Sequence, residues 1–209
     1  HWKIIVFFAK IFSAKGLYDV NLQGFYTRHM LLKKINIVGY RNISQTELEF
    51  SPNVNCLVGA NGMGKTNVLD AIYYLSFCKS SANPIDSQNI MHGQDFFMID
   101  GNYESHDGVT ANVVCSVQRG QPKRLSKNGK RMARISDHVG SIPLVMISPR
   151  DGELVAGMSE ERRRFLDSAI SQYDKTYLSS LIRYEAALKQ RNALMRQEDA
   201  EPDWELVRS

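Results

Sequence analysis

Gly59, Ala60, Asn61, Gly62, Met63, Gly64, Lys65 and Thr66 spell G-x-x-x-x-G-K-T, a spacing of small, basic and hydroxyl residues suited to one kind of chemistry. Glycine accepts backbone conformations that a Cβ forbids, so successive N–H groups can curl around an anion. The lysine ammonium then neutralises β- and γ-phosphate charge, and the threonine hydroxyl is placed to ligate Mg²⁺. Asn67 follows directly. The pattern points to a nucleoside triphosphate bound with Mg²⁺.

Such a loop must be held between a strand and a helix. Val54-Asn55-Cys56-Leu57-Val58 reads as a short buried strand, and Val68, Ile72 and Leu75, with Leu69 beside them, recur at helical spacing towards Lys79. The helix would add unpaired N-terminal N–H groups and the positive end of its dipole. Upstream, residues 32–38 and 46–50 alternate as half-exposed strands around Gly39-Tyr40-Arg41-Asn42. Downstream comes a polar excursion over 80–94, then strands around 96–99 and 109–118. A basic hairpin with Asn128-Gly129 at its tip and a buried-looking run over 142–147 follow. After Ser148-Pro149 the pattern turns helical. One helix, capped by Ser159, is expected to bury Phe165, Leu166, Ala169, Ile170 and Tyr173. A second spans about 175–197, with Leu181, Leu188 and Met195 every seven residues and Tyr177 and Tyr184 between them.

A chain of 209 residues can bury a sizeable core. The formal net charge is +4, but residues 1–29 carry +3 of it, so a case for nucleic acid rests on local clusters. One such cluster is Arg119, Lys123, Arg124, Lys127, Lys130, Arg131 and Arg134, with no acid among them. On a hairpin, alternate members share a face and could track a phosphate backbone without reading bases. A plain solvated hairpin is the other reading. Arg162-Arg163-Arg164 in the first turns of a helix works against its dipole; pairing with Glu160, Glu161 and Asp167 is the structural alternative. Cys56, Cys78 and Cys115 show no C-x-x-C spacing and read as reduced, mostly buried thiols of a cytosolic protein. Five histidines form no ligand set. The apolar run at 4–9 is too short to span a bilayer, so no membrane role is expected.

Hydrolysis needs an acidic strand to hold Mg²⁺ and activate water. Phe96-Phe97-Met98-Ile99-Asp100 is the one local match, and Gly101 follows it where an acid is expected. No catalytic residue is assigned, and the chain is expected to be an incomplete ATPase.

Several segments together resemble the RecF family of DNA replication and repair proteins, in a Bacteroidetes-like form. They are Gly39-Tyr40-Arg41-Asn42-Ile43, the loop through Asn67, Leu69-Asp70-Ala71-Ile72-Tyr73-Tyr74-Leu75-Ser76, and Lys79-Ser80. Asn128-Gly129-Lys130, Ile147-Ser148-Pro149-Arg150-Asp151 and Glu161-Arg162-Arg163-Arg164-Phe165-Leu166-Asp167 follow in the same order. The resemblance runs from Met30 to the end. It implies an α/β P-loop head of ABC type, akin to chromosome-maintenance (SMC) heads, with a helical second lobe and the start of a short helical arm. Residues 1–29 would then be an extension or upstream tail, 30–148 the nucleotide-binding lobe with a β-rich subdomain, and 149–209 the helical lobe and arm.

The same resemblance implies ATP and Mg²⁺ at Gly59–Thr66, with Arg41 and Asn42 near the nucleotide. Two heads would dimerise on ATP, hold single-stranded or gapped duplex DNA, and work with recombination mediator proteins. Relatives continue to an S-x-G-Q-type signature and the acidic strand, neither of which lies within residues 1–209. Many also carry a basic or aromatic residue where this chain has Ser81-Ala82-Asn83 after Lys79-Ser80. The alternatives are another head of the SMC class and a non-catalytic DNA-binding module with a vestigial loop.

Overall fold

The structure is a computed structural model and describes residues 2–8, 30–105, 107–147 and 159–196. It divides into two compact units, His1–Ile147 and Ser148–Ser209.

In the first unit, β2 (Met30–Tyr40), β3 (Ile43–Glu49), β5 (Phe96–Ser105), β6 (Thr110–Gln118), β7 (Arg124–Lys127) and β8 (Lys130–Arg131) form one antiparallel sheet in the order β3-β2-β5-β6-β7-β8. Alternation in β5, β6 and the middle of β2 puts Ile35, Ile37, Phe97, Ile99, Val113 and Cys115 on one face, all fully buried. Helix α1 (Lys65–Phe77) lies on that face and buries Val68, Ala71, Ile72, Tyr74 and Leu75. The approach is close at Gly101 of β5. A Cβ there would meet Leu75 Cδ1 at 2.6 Å and Tyr103 Cε2 at 2.9 Å. Three rings, Tyr40, Tyr74 and Phe97, pack edge-on with centroids 5.0–6.0 Å apart, joining sheet to helix. His138 seals the helix end, its Nε2 bonding the Leu75 carbonyl oxygen at 2.7 Å.

Strand β4 (Val54–Ala60) feeds the helix and pairs antiparallel with β1 (Trp2–Phe8), from Trp2 opposite Ala60 to Phe8 opposite Val54. The expectation of a buried strand is corrected here: Val54 and Val58 are 47% and 60% exposed. Packing from α1 reaches β4 on one side only, and among the described residues nothing covers the other. The run at 142–147, expected to be buried, is buried only at its start. Ile142 is buried, its carbonyl accepting the Ser76 hydroxyl at 2.6 Å, but Val145 and Ile147 stand in solvent. Among the described residues these positions find no partner strand, so an apolar run stays irregular. The strand expected around 96–99 continues to Ser105, because every residue from Phe96 to Glu104 finds a partner on β6. Of the cysteines, Cys78 and Cys115 are buried and Cys56 is exposed.

The second unit holds α2 (Ser159–Tyr173) and α3 (Lys175–Leu194). Asp174 ends one and caps the other, accepting from the Thr176 and Tyr177 amides at 2.8 and 3.0 Å. Of the apolar stripe expected to be buried on α2, Ala169 is half-buried and the other four are exposed: Phe165 45%, Leu166 54%, Ile170 38%, Tyr173 57%. The α2 positions that lose solvent are Ser171 and Gln172, and on α3 it is Leu178, with Tyr177 donating to Asp167 at 2.5 Å. Two helices cover one side of each other, so the rest of an apolar face stays open within this unit. Along α3 the heptad positions are unequal: Leu181 and Leu188 are half-buried, Tyr184 and Met195 exposed. Among the described residues no helix is long and apolar enough to cross a membrane.

Candidate functional site

β4 ends at Ala60, and the chain turns through Asn61, Gly62, Met63 and Gly64 into α1. Gly64 sits at the helix N-cap with φ +93°, a left-handed value that favours glycine. A Cβ at Gly64 would stand 2.9 Å from Asn42 Oδ1, so the site needs hydrogen there for space as well as for conformation. No side chain caps the helix, and no acid lies in its first turn. The first amides of α1 are therefore left to an incoming anion. Lys65 is half-buried, and its Nζ donates to the Gly59 and Ala60 carbonyl oxygens at 2.7 and 2.6 Å. Its charge is thereby held against the loop it serves.

Arg41 and Asn42, in the turn between β2 and β3, meet the loop from the sheet side. Asn42 Nδ2 donates to the Gly62 carbonyl at 2.7 Å, and Asn42 Oδ1 accepts from Asn67 Nδ2 at 2.6 Å. Arg41 Nη1 donates to Asn67 Oδ1 at 3.2 Å. Asn67 is thus gripped from both residues of the turn. An open cleft of about 860 Å³ runs from Arg41, Asn42 and Asn67 past Ala82, Asn83 and Gln88 to His92 and Arg119. Apart from Ala82 and Ile90, the residues that line it are polar, and it lies beside the phosphate loop.

Thr66 is exposed on the first turn of α1, where its hydroxyl can meet a cation carried by phosphates. No cluster of three or more His, Cys, Asp or Glu suited to a metal occurs among the described residues. The Thr66 hydroxyl is a hard oxygen donor of the kind Mg²⁺ takes alongside phosphate oxygens and water, so the residue present would fit that ion. Asp100 takes no part. It lies in the middle of β5, opposite Asn36 of β2, and its carboxylate accepts from Asn112 Nδ2 at 2.6 Å. Residues facing α1 alternate with it along the strand, so it points to the far side of the sheet.

Register splits the seven basic residues. Arg124 opposes Ser116 and Arg131 opposes Ser126, on the face away from α1; Lys127 opposes buried Val113 and Lys130 opposes Lys127, on the other. Asn128 and Gly129 both have positive φ, as the two-residue turn requires. Arg119 lines the cleft, and its Nε donates to the Gln94 carbonyl at 3.4 Å. Arg134 is exposed. Lys123 is committed internally: Nζ lies 2.7 Å from Asp86 Oδ2 and 3.2 Å from the Tyr74 hydroxyl, and it donates to the Cys78 carbonyl at 2.5 Å. Tyr74 in turn donates to Asp86 Oδ1, and burial first, then this bond, pushes its phenol well above the ordinary range. Arg164 pairs with Glu160 at 2.6 Å within α2, while Arg162 and Arg163 are exposed.

Behind the loop is a layer that sequence reading did not single out. Asp70, Ser80 and Asn89 are buried, and all three bind Arg41. The available signal was Asp70 itself, a carboxylate among Val68, Ala71, Ile72 and Leu75 on the buried face of α1.

Strand, glycine turn, helix and antiparallel subdomain together define a P-loop ATPase head. The chain belongs to the AAA ATPase domain family, whose model matches residues 30–202. It is 59% identical over 178 residues to the DNA replication and repair protein RecF of Phocaeicola vulgatus, covering 85% of this chain and 48% of that protein. The RecF of Bacteroides fragilis (strain ATCC 25285) is also 59% identical, over 169 residues, covering 81% of this chain and 46% of the relative. The chain thus spans about half the length of the curated relatives it matches. Among solved structures, the recombination mediator protein RecF with ATP superposes with a TM-score of 0.71 at 27% identity, covering 86% of this chain and 48% of that one. An SMC ATPase structure shares the fold, with a TM-score of 0.55 at 20% identity, 66% of this chain and 98% of that one. The chain is thus similar in sequence to RecF proteins over about half their length, and its fold is that of the RecF and SMC type of head.

Proposed function

We propose that this chain forms the nucleotide-binding part of a RecF-type protein that binds ATP with Mg²⁺ and acts on DNA during replication and repair in the cytoplasm. The observation that carries the reading is the loop itself: a left-handed Gly64, an uncapped helix start, and Lys65 and Thr66 at its mouth. Arg41 and Asn42 would flank the bound nucleotide, and the cleft beside them would take its nucleoside end. With ATP bound, two heads would dimerise and hold single-stranded or gapped DNA, delivering it to recombination mediator proteins. Phosphate contacts would come from Arg124, Lys127, Lys130, Arg131 and Arg134, with Arg119 nearer the cleft, and would carry no base specificity.

The test is calorimetric titration of ATP with Mg²⁺ into the longest natural polypeptide that carries this chain. Saturable heat that Lys65→Ala removes supports the reading, and absence of heat from the unaltered protein overturns it.

A further inference from the structure

Asp70 is 2% exposed, and a carboxylate so placed survives only when its lone pairs are taken up. Here five donors converge on it. Oδ2 accepts from the Tyr40 hydroxyl at 2.6 Å and the Ser80 hydroxyl at 2.9 Å; Oδ1 accepts from the Ser81 amide at 2.8 Å and the Ser81 hydroxyl at 2.6 Å. The fifth is Arg41, whose Nη2 lies 3.1 Å from Oδ2. The carboxylate thus ties three segments to α1: the end of β2, the turn after it, and the start of the excursion that lines the cleft.

Arg41 is held as firmly from its other side. Nε donates to Asn89 Oδ1 at 3.2 Å, Nη1 to Asn67 Oδ1 at 3.2 Å, and Nη2 to the Ser80 hydroxyl at 2.8 Å. Its backbone has φ +54°, a left-handed value unusual for a residue with a side chain, and its amide donates to the Asn89 carbonyl at 2.8 Å. A guanidinium offers five N–H donors in a rigid fork. These contacts engage Nε, both donors of Nη2 and one of Nη1, so one Nη1 donor is left on a side chain that lines the cleft. Packing and hydrogen bonds have fixed the fork before any ligand arrives, which is how a binding group avoids ordering costs.

We propose that Asp70 is a positioning residue of the nucleotide site: it fixes the Arg41 fork against α1 so that the remaining Nη1 donor meets bound nucleotide. The inference rests on the reading of the loop as an ATP site and adds to it a buried carboxylate that touches no ligand.

The experiment measures ATP affinity with Mg²⁺ by calorimetry, and thermal unfolding, for the longest natural polypeptide carrying the chain. The variants are Asp70→Asn, Arg41→Ala, Ser80→Ala, and each of the first and third combined with Arg41→Ala. Asp70→Asn keeps the shape and removes the charge. It is expected to weaken ATP about tenfold, Arg41→Ala by a similar factor, and the pair no more than Arg41→Ala alone. A merely structural role would lower the unfolding temperature and give losses that multiply. Asp70→Asn within twofold of the unaltered protein, or multiplying losses, overturns the proposal. If Asp70→Asn gives no unfolding transition, Ser80→Ala decides by the same rule, since it removes a link to both Arg41 and Asp70 and leaves the charge. Its loss, about threefold, must vanish in the Arg41→Ala background. Failure of the unaltered protein to bind ATP would instead strike the site itself, and Lys65→Ala reports that separately.

Discussion

Asn42 Nδ2 donates to the Gly62 carbonyl oxygen at 2.7 Å, so a side chain from the β2–β3 turn braces the apex of the phosphate loop. The same residue accepts from Asn67 on the first turn of α1, which ties the loop's apex and the start of the helix to one amide group. Exposed as it is, Asn42 contributes little to the core. Asn42→Ala is therefore expected to weaken ATP binding about fivefold, the net worth of about one hydrogen bond, with little change in unfolding temperature. Calorimetry beside a thermal melt checks this. Unchanged affinity would mean the loop holds its shape without the brace.

Gly101 is expected to accept no side chain. An added methyl would meet Leu75 and Tyr103, both buried, so α1 or the sheet must yield. Gly101→Ala should cost about 1–3 kcal/mol, the usual range for overpacking, read as a lower urea midpoint. A variant as stable as the original would show that helix and sheet separate freely.

Lys123 separates a structural cation from those available to DNA. Its side chain is 17% exposed and its partner Asp86 30%, so removing the ammonium leaves a partly buried carboxylate unpaired. Lys123→Met should lower stability by about 1–3 kcal/mol and leave the salt dependence of DNA retention unchanged. Arg131→Ala should do the reverse, with stability kept and the slope of log affinity against log salt reduced by about 0.7–0.9. A reduced slope for Lys123→Met, or an unchanged one for Arg131→Ala, would reverse this division.

Alkaline pH should loosen the first unit. Burial, above all, raises the phenols of Tyr40, Tyr74 and Tyr103 from their ordinary 10.0. The charge of Asp70 acts further on Tyr40, and the bond to Asp86 on Tyr74. The folded chain thus holds these protons more tightly than the unfolded chain. That contribution is complete below pH ~10 and is lost as pH rises above it, because the unfolded chain ionises and the folded one resists. Urea midpoints measured from pH 8 upward should fall beyond ~10. Tyr103→Phe, which removes one such phenol, should flatten the fall. A midpoint that holds steady or climbs would contradict the burial argument.

Spacing along the chain made the phosphate loop, its helix and the Asn128-Gly129 turn legible, because each is written within a few consecutive residues. Alternation placed β2, β5 and β6 for the same reason. The layer behind Arg41 was not legible. Its partners lie 26 to 48 residues away in sequence, and no local pattern marks where Asn67, Ser80 and Asn89 will converge. Apolar stripes misled where they lacked a wall. Phe165, Leu166 and Tyr173 have the period of a buried face, but periodicity shows which residues share a side and not what covers them. Likewise, seven basic residues in a run appear equivalent until register assigns faces and Asp86 claims Lys123.

Position 41 admits no compromise. A glycine would relax the left-handed backbone there and surrender every contact the guanidinium makes; a lysine would keep the charge and lose the planar fork. The residue that best fits the bend and the residue that best fits the surrounding acceptors are different amino acids. Local discomfort is retained so that one rigid cation can stand at the crossing of sheet, helix and cleft.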